Sequence, residues 1–259
     1  MTDDAKSPVY TGRLDDAEIE RAARSAAASF KYLWRELTWE YRRIVPGLEL
    51  AAIKLPFRGV TDGIDDVEHM WLSEIEFDGD VVSATLLNSP HRITTVAKDD
   101  RVEFTAAQIE DWMYVMSGRV YGGYTIQVLR GRMSPSERQS HDEAWGFEFP
   151  EPAIVEVAPR WSGVASSPDE EHPMSQNMAP GLAKAVEDNR AAFFERGPSG
   201  LNTLHSLALG GSLAGVKVLL ELGADPHMKT NSGKTARALA EQMGWQRVAE
   251  VLGAAEQRT

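Results

Sequence analysis

At Pro46-Gly47 the period of the apolar residues changes from helical to strand-like, and no single class of secondary structure accommodates both sides of that change. Upstream, Ile19, Ala22, Ala23, Ala26, Phe30, Leu33, Trp34, Leu37, Tyr41 and Ile44 recur every three or four residues, which predicts a helix. Asp15 with Glu18 three residues on supplies a capping box at its start. A helix of about 29 residues is about 43 Å long, more than a small domain is wide, so a kink or break is expected near Thr38. Downstream, Trp71, Ile75 and Phe77 alternate with more polar neighbours, the pattern of a half-buried antiparallel strand. Asp78-Gly79 suits a tight hairpin turn between strands over 69–77 and 81–87. Further strands are expected over 49–55, 101–104, 108–114 and 123–130. Ser134-Pro135-Ser136-Glu137 reads as N-cap, first helical proline and capping-box acid of a short helix that stops at Gly146. Residues 1–165 are therefore expected to be an α+β domain, an antiparallel sheet with a long N-terminal helix.

The chain has 259 residues, 42% of them apolar, and no cysteine, so it can bury one large core or two smaller ones and cannot hold a disulfide, a cysteine-ligated zinc or a cysteine nucleophile. The opening MTDDAKSPVY shows no basic segment followed by an apolar one, and no apolar stretch approaches the roughly 20 residues of a membrane span. A cytoplasmic protein without membrane function is expected.

Residues 166–180, rich in Ser, Pro and acids, read as a linker. Beyond them the chain repeats with a period of 33: Gly200 maps on Gly233, Leu207 on Ala240, Gly211 on Gly244 and Leu219 on Leu252. Residues 200–225 resemble an ankyrin repeat, 233–252 a second copy, and 182–197 a partial leading one. The expectation for 181–259 is an all-α ankyrin-repeat module of about two and a half repeats, with His205 as a turn-bonding structural residue. Such arrays usually present a surface to another protein.

In the front domain, Glu68-His69-Met70-Trp71-Leu72, Leu87-Asn88-Ser89-Pro90, Val102-Glu103-Phe104, Ile109-Glu110-Asp111-Trp112-Met113-Tyr114 and Gly122-Gly123-Tyr124-Thr125 resemble the YegJ-like bacterial domain of unknown function over roughly residues 20–135. The resemblance implies an acidic, tryptophan-bearing α+β domain that is often joined to other modules. It implies no cofactor and no reaction.

The formal charge of −12 is concentrated at the front. Over residues 1–165, 18 Lys and Arg face 28 Asp and Glu, a net −10; residues 166–180 add −3 and 181–259 carry +1. Between Arg58 and Arg92 there is no Lys or Arg, while Asp62, Asp65, Asp66, Glu68, Glu74, Glu76, Asp78 and Asp80 accumulate. A field of that sign repels nucleic acid and anionic lipid and attracts a basic protein. These eight acids are the expected partner-binding residues, and the partner a basic toxin or effector neutralised by an immunity-type inhibitor. The other reading of the run is a solvated face that keeps the protein soluble.

An alternative is a small-molecule or catalytic pocket joining Glu68, His69, Trp71, Asp111 and Trp112, residue types used in acid–base work. The motifs HExxH, GxSxG, GxGxxG and GxxxxGK[ST] do not occur. The spacings of His69, His91, His141 and His172 match no helical or hairpin ligand pattern, so no metal is expected. The two tryptophans and Tyr124 equally fill the space between sheet and helix, and Asp111 equally caps a turn.

Overall fold

The computed structural model describes residues 17–61, 63–160 and 167–258. The described residues form two compact units. The first gathers Arg43–Ile75, Ser83–Ala158 and the chain up to Leu33; the second gathers Trp34–Arg42, Glu76–Val82 and the chain from Pro159 onward.

The first helix, α1 (Ala17–Glu40), places Ala22, Ala26, Phe30 and Leu33 on one buried stripe within the first unit. Its expected cap, Asp15, lies outside the described residues. The helix runs through Thr38, whose hydroxyl donates to the Arg35 carbonyl at 2.7 Å, and ends close by at Glu40, so Tyr41 and Ile44, expected on its apolar stripe, lie beyond it and are exposed.

Six strands follow among the described residues: β1 (Leu50–Thr61), β2 (Ile64–Phe77), β3 (Val82–Leu86), β4 (Arg101–Phe104), β5 (Asp111–Met116) and β6 (Arg119–Gly122), in the order β4-β3-β2-β1-β5-β6. β1 runs antiparallel to both β2 and β5, and β5 antiparallel to β6. Leu72, Ile53 and Trp112 form one row across β2, β1 and β5, and Trp71, Lys54 and Asp111 form the next. Successive residues of a strand face opposite ways, so the two rows look to opposite sides of the sheet.

α1 covers the first side, where the Trp112 indole N–H donates to the Ala26 carbonyl at 2.9 Å. A small residue at 26 lets the ring come that close. On the second side Ala52, Met113, Val115, Val120 and Ile126 form a core with Trp145, Phe147 and Phe149 packed on it.

Along β2 the buried positions are Glu68, Met70 and Leu72, then Ile75 and Phe77. The parity changes at Glu74, whose φ of 52° marks a bulge that inserts one residue into the alternation. The β6 edge is closed rather than open: Val120 N–H donates to Glu148 O at 2.9 Å and Gly122 N–H to Glu156 O at 2.7 Å.

The strand expected over 123–130 is a helix, α2 (Tyr124–Arg132). Gly122 and Gly123 take φ of 79° and 72°, and the Asp111 carboxylate on β5 receives the first helical N–H groups. That cap comes from 13 residues away, where local propensity cannot register it. α3 (Pro135–Trp145) forms as expected, with the Ser134–Glu137 capping box and Gly146 in the left-handed conformation.

The second unit contains α4 (Pro173–Asp188), α5 (Arg190–Phe194), α6 (Thr203–Leu209), α7 (Leu213–Glu221), α8 (Ala236–Gln242) and α9 (Gln246–Glu256). The expected all-α ankyrin-repeat module is corrected here. These helices share their compact unit with part of α1 and with the strand-and-turn segment Glu76–Val82, so the unit is not all-helical. The leading pair is also irregular, since α4 has 16 residues with Pro180 inside it and α5 has five. Two short helix pairs leave apolar area without a cover, and here non-helical chain supplies it: the Leu239 side chain of α8 lies against Gly79. His205 is fully buried, its Nδ1 accepting the Asn202 N–H at 3.2 Å and its Nε2–H donating to Met228 O at 2.9 Å.

Trp112→Ala should lower the unfolding free energy in urea by about 3–5 kcal/mol, while Trp112→Phe, which keeps a ring and loses the indole N–H, should cost about 1–3 kcal/mol. A loss below about 1 kcal/mol for the alanine variant would contradict a fully packed indole.

Candidate functional site

Asp111 is the most buried acid of the sheet, with 0% exposure. Its Oδ1 accepts the N–H groups of Trp112 and Tyr124, both at 2.8 Å. Its Oδ2 accepts the Thr125 N–H at 2.8 Å and the Thr125 hydroxyl at 2.5 Å. Lys54 Nζ donates to Thr125 Oγ1 at 3.2 Å and lies 5.9 Å from the centre of the Trp71 ring. Burial pushes the Asp111 carboxyl above the usual carboxylate range, against the pull of the Lys54 charge and the hydrogen bonds from Thr125 and Trp112. With four donors on its two oxygens, the carboxylate holds β5 to the start of α2.

The proposed pocket residues divide between the two sides of the sheet. Trp71 and Asp111 share a row with Lys54, whereas Trp112 looks toward α1. His69 stands opposite Pro56 and bonds through Nδ1 to the Glu110 carboxylate; its Nε2 is buried, with no hydrogen-bond partner among the described residues. Glu68 points to the buried side of β2 and anchors the loop after β3. Its carboxylate accepts the backbone N–H groups of His91 at 2.8 Å, Arg92 at 3.1 Å and Ile93 at 3.5 Å.

The acidic run has several structural roles. Asp62 lies outside the described residues. Asp65, Glu74 and Glu76 are exposed. Asp66 pairs with Arg92 at 3.2 Å. Asp78 accepts the N–H groups of Asp80 and Val81, and Asp80 pairs with Lys234 at 2.5 Å. Lys54, Glu110, Thr125 and Lys234 were not among the expected site residues. A lysine inside the apolar stretch Ala51-Ala52-Ile53-Lys54-Leu55 was the available signal for the first; the others are joined to their partners only by the tertiary fold.

A second polar cluster lies in the helical unit. Arg35 donates through Nε and Nη2 to Glu36 Oε1, both at 3.3 Å, and through Nη1 to the carbonyls of Pro168 at 2.8 Å and Glu170 at 3.3 Å. His172 Nε2 lies 3.2 Å from Glu36 Oε2, and its Nδ1 accepts the Met174 N–H at the start of α4. All three side chains are buried, and Arg35 and Glu36 form an ion pair where water cannot solvate them. Among the described residues no group of three or more His, Asp or Glu could hold a metal ion, and no helix is long and apolar enough to cross a membrane.

A helix on one side of a six-stranded sheet, with shorter helices on the other, defines the front of this chain as an α+β domain built around a buried capping carboxylate. The chain belongs to the family described as an uncharacterized protein conserved in bacteria, DUF2314, whose model matches residues 16–149. It is 38% identical over 250 residues to a putative ankyrin repeat protein of Neisseria meningitidis serogroup B, covering 95% of this chain and 97% of that one. It is 32% identical over 78 residues to the uncharacterized protein YegJ of Escherichia coli K12, covering 30% of this chain and 48% of YegJ. A solved complex of a predatory endopeptidase from Bdellovibrio bacteriovorus with an immunity protein matches at 27% identity with a TM-score of 0.28, over 33% of this chain and 47% of that one.

The Glu68 carboxyl is desolvated, which alone would raise its pKa, but the three backbone N–H groups outweigh burial and hold it below the usual range. A depressed carboxyl stabilises the fold above its unfolded-state pKa and loses that contribution as pH falls through its folded-state pKa. Glu68→Gln should therefore lower urea stability at neutral pH and narrow its gap from wild type in acid. A gap that stays constant with pH would contradict the anchoring role.

Proposed function

We propose that this chain is a protein-binding protein of the immunity type, whose acidic front domain binds and neutralises a basic toxin or effector. The observation that carries this reading is the exposure of Asp65, Glu74 and Glu76 on a domain whose charge is strongly negative. Exposed acids of one sign attract a basic surface over the Debye length and set the rate and specificity of docking. The naming of the Neisseria relative as a putative ankyrin repeat protein adds support, because repeat proteins of that class usually act by binding other proteins. Asp66, Glu68, Asp78 and Asp80 drop out of the proposed surface, since none of them is exposed.

Affinity capture from the native cell, with the wild-type chain beside an Asp65→Asn/Glu74→Gln/Glu76→Gln variant, tests the proposal. A single basic protein should be retained in one-to-one complex. The variant should bind it at least about tenfold more weakly, with a shallower dependence on salt. Equal affinity for both chains would overturn the acidic surface, and retention of no basic protein would overturn the function.

A further inference from the structure

The turn between β2 and β3 is gripped by α8 and by Lys234 just before it, within its own compact unit, in a way that reads its chemistry residue by residue. The carbonyl of Gly79 accepts from Lys234 Nζ at 3.0 Å and from Gln242 Nε2 at 2.7 Å. The adjacent Asp80 carboxylate pairs with the same Lys234 at 2.5 Å. Gly79 has φ of 95°, and a Cβ there would stand 2.5 Å from the Leu239 side chain. The cleft therefore demands three features at once: a glycine in the left-handed conformation, its carbonyl turned toward two donors, and an acid immediately after it. Asp78 prepares the turn from within, its carboxylate accepting the N–H groups of Asp80 at 2.9 Å and Val81 at 2.8 Å. The acidity of Asp80 fits this picture: burial would raise its pKa, but hydrogen bonds from Lys234 and Ser232 bring it below the usual range.

We propose that Lys234, Leu239 and Gln242 form a recognition cleft for a glycine–aspartate turn. In this chain the cleft is filled by its own hairpin, and a partner protein displaying such a turn binds there by displacing it. The cleft has the charge preference opposite to that of the exposed acids, because its ligand is an acidic turn rather than a basic face. The Asp65/Glu74/Glu76 variant leaves Lys234, Leu239 and Gln242 intact, so failure of one reading is distinguishable from failure of the other. The tethered hairpin competes at a high effective concentration, which keeps the cleft closed to weak ligands.

The test uses the full-length chain and a fluorescent cyclic peptide with the sequence Glu76-Phe77-Asp78-Gly79-Asp80-Val81-Val82, followed by anisotropy. Wild type should leave the peptide free. Gly79→Val forces a side chain into Leu239 at a left-handed φ and should expel the internal turn, raising peptide affinity by at least about tenfold. Asp80→Lys, which sets like charges against each other at Lys234, opens the cleft without touching the glycine and serves if the valine variant does not fold. Adding Lys234→Met to either opened variant should abolish binding. Opened variants that unfold cooperatively yet bind the peptide no better than wild type would overturn the proposal. So would binding that survives loss of Lys234.

Discussion

A carboxylate taken wholly out of water must be met by donors on every side, and the way Asp111 meets that demand organises the front domain. Leaving such a group without partners costs several kcal/mol, so the backbone around it has little freedom. Its donors are the N–H groups of Trp112, Tyr124 and Thr125 and the Thr125 hydroxyl, which forces the chain after β6 to turn back at once into α2. That turn runs through Gly122, where a Cβ would stand 2.2 Å from the Trp112 carbonyl. On the other side of the sheet, the neighbouring Trp112 indole reaches the α1 backbone. One residue pair on β5 thus ties the sheet to a helix on each of its sides.

Much of this was legible in the residues. The period change at Pro46-Gly47 marks the passage from α1 to the sheet, Asp78-Gly79 marks the β2–β3 turn, and Ser134 with Glu137 marks the start of α3, because each of these signals is local. Residues 123–130 misled because Tyr124-Thr125-Ile126 has the β-branched and aromatic character of a strand, while the cap that makes it helical is supplied by β5. The bulge at Glu74 escaped for a related reason. Strict alternation fits both halves of β2 separately, and only the buried rows on either side show that the frame has moved by one.

The site was less legible than the fold. A run of eight acids in sequence looks uniform, yet strand alternation, a loop anchor and a turn divide its described members into exposed, half-buried and buried ones. Composition reports the charge of the segment but not which oxygens remain available. Glu68 is the clearest case, since a carboxylate that seemed to offer charge to a partner instead binds three consecutive backbone N–H groups.

The second unit joins pieces of chain made at very different times. Gln242 and the Gly79 carbonyl it holds are separated by 163 positions, and Lys234 and that carbonyl by 155. On the ribosome, Trp39, buried in the finished unit, emerges well before His172, whose ring stacks on it at 5.6 Å. That face of the indole stays uncovered while well over a hundred further residues are synthesised. Closing contacts of such long range is slow, because the entropy of a large loop is lost before the contacts form. Until then that surface is of the kind that makes a partly folded chain prone to aggregate.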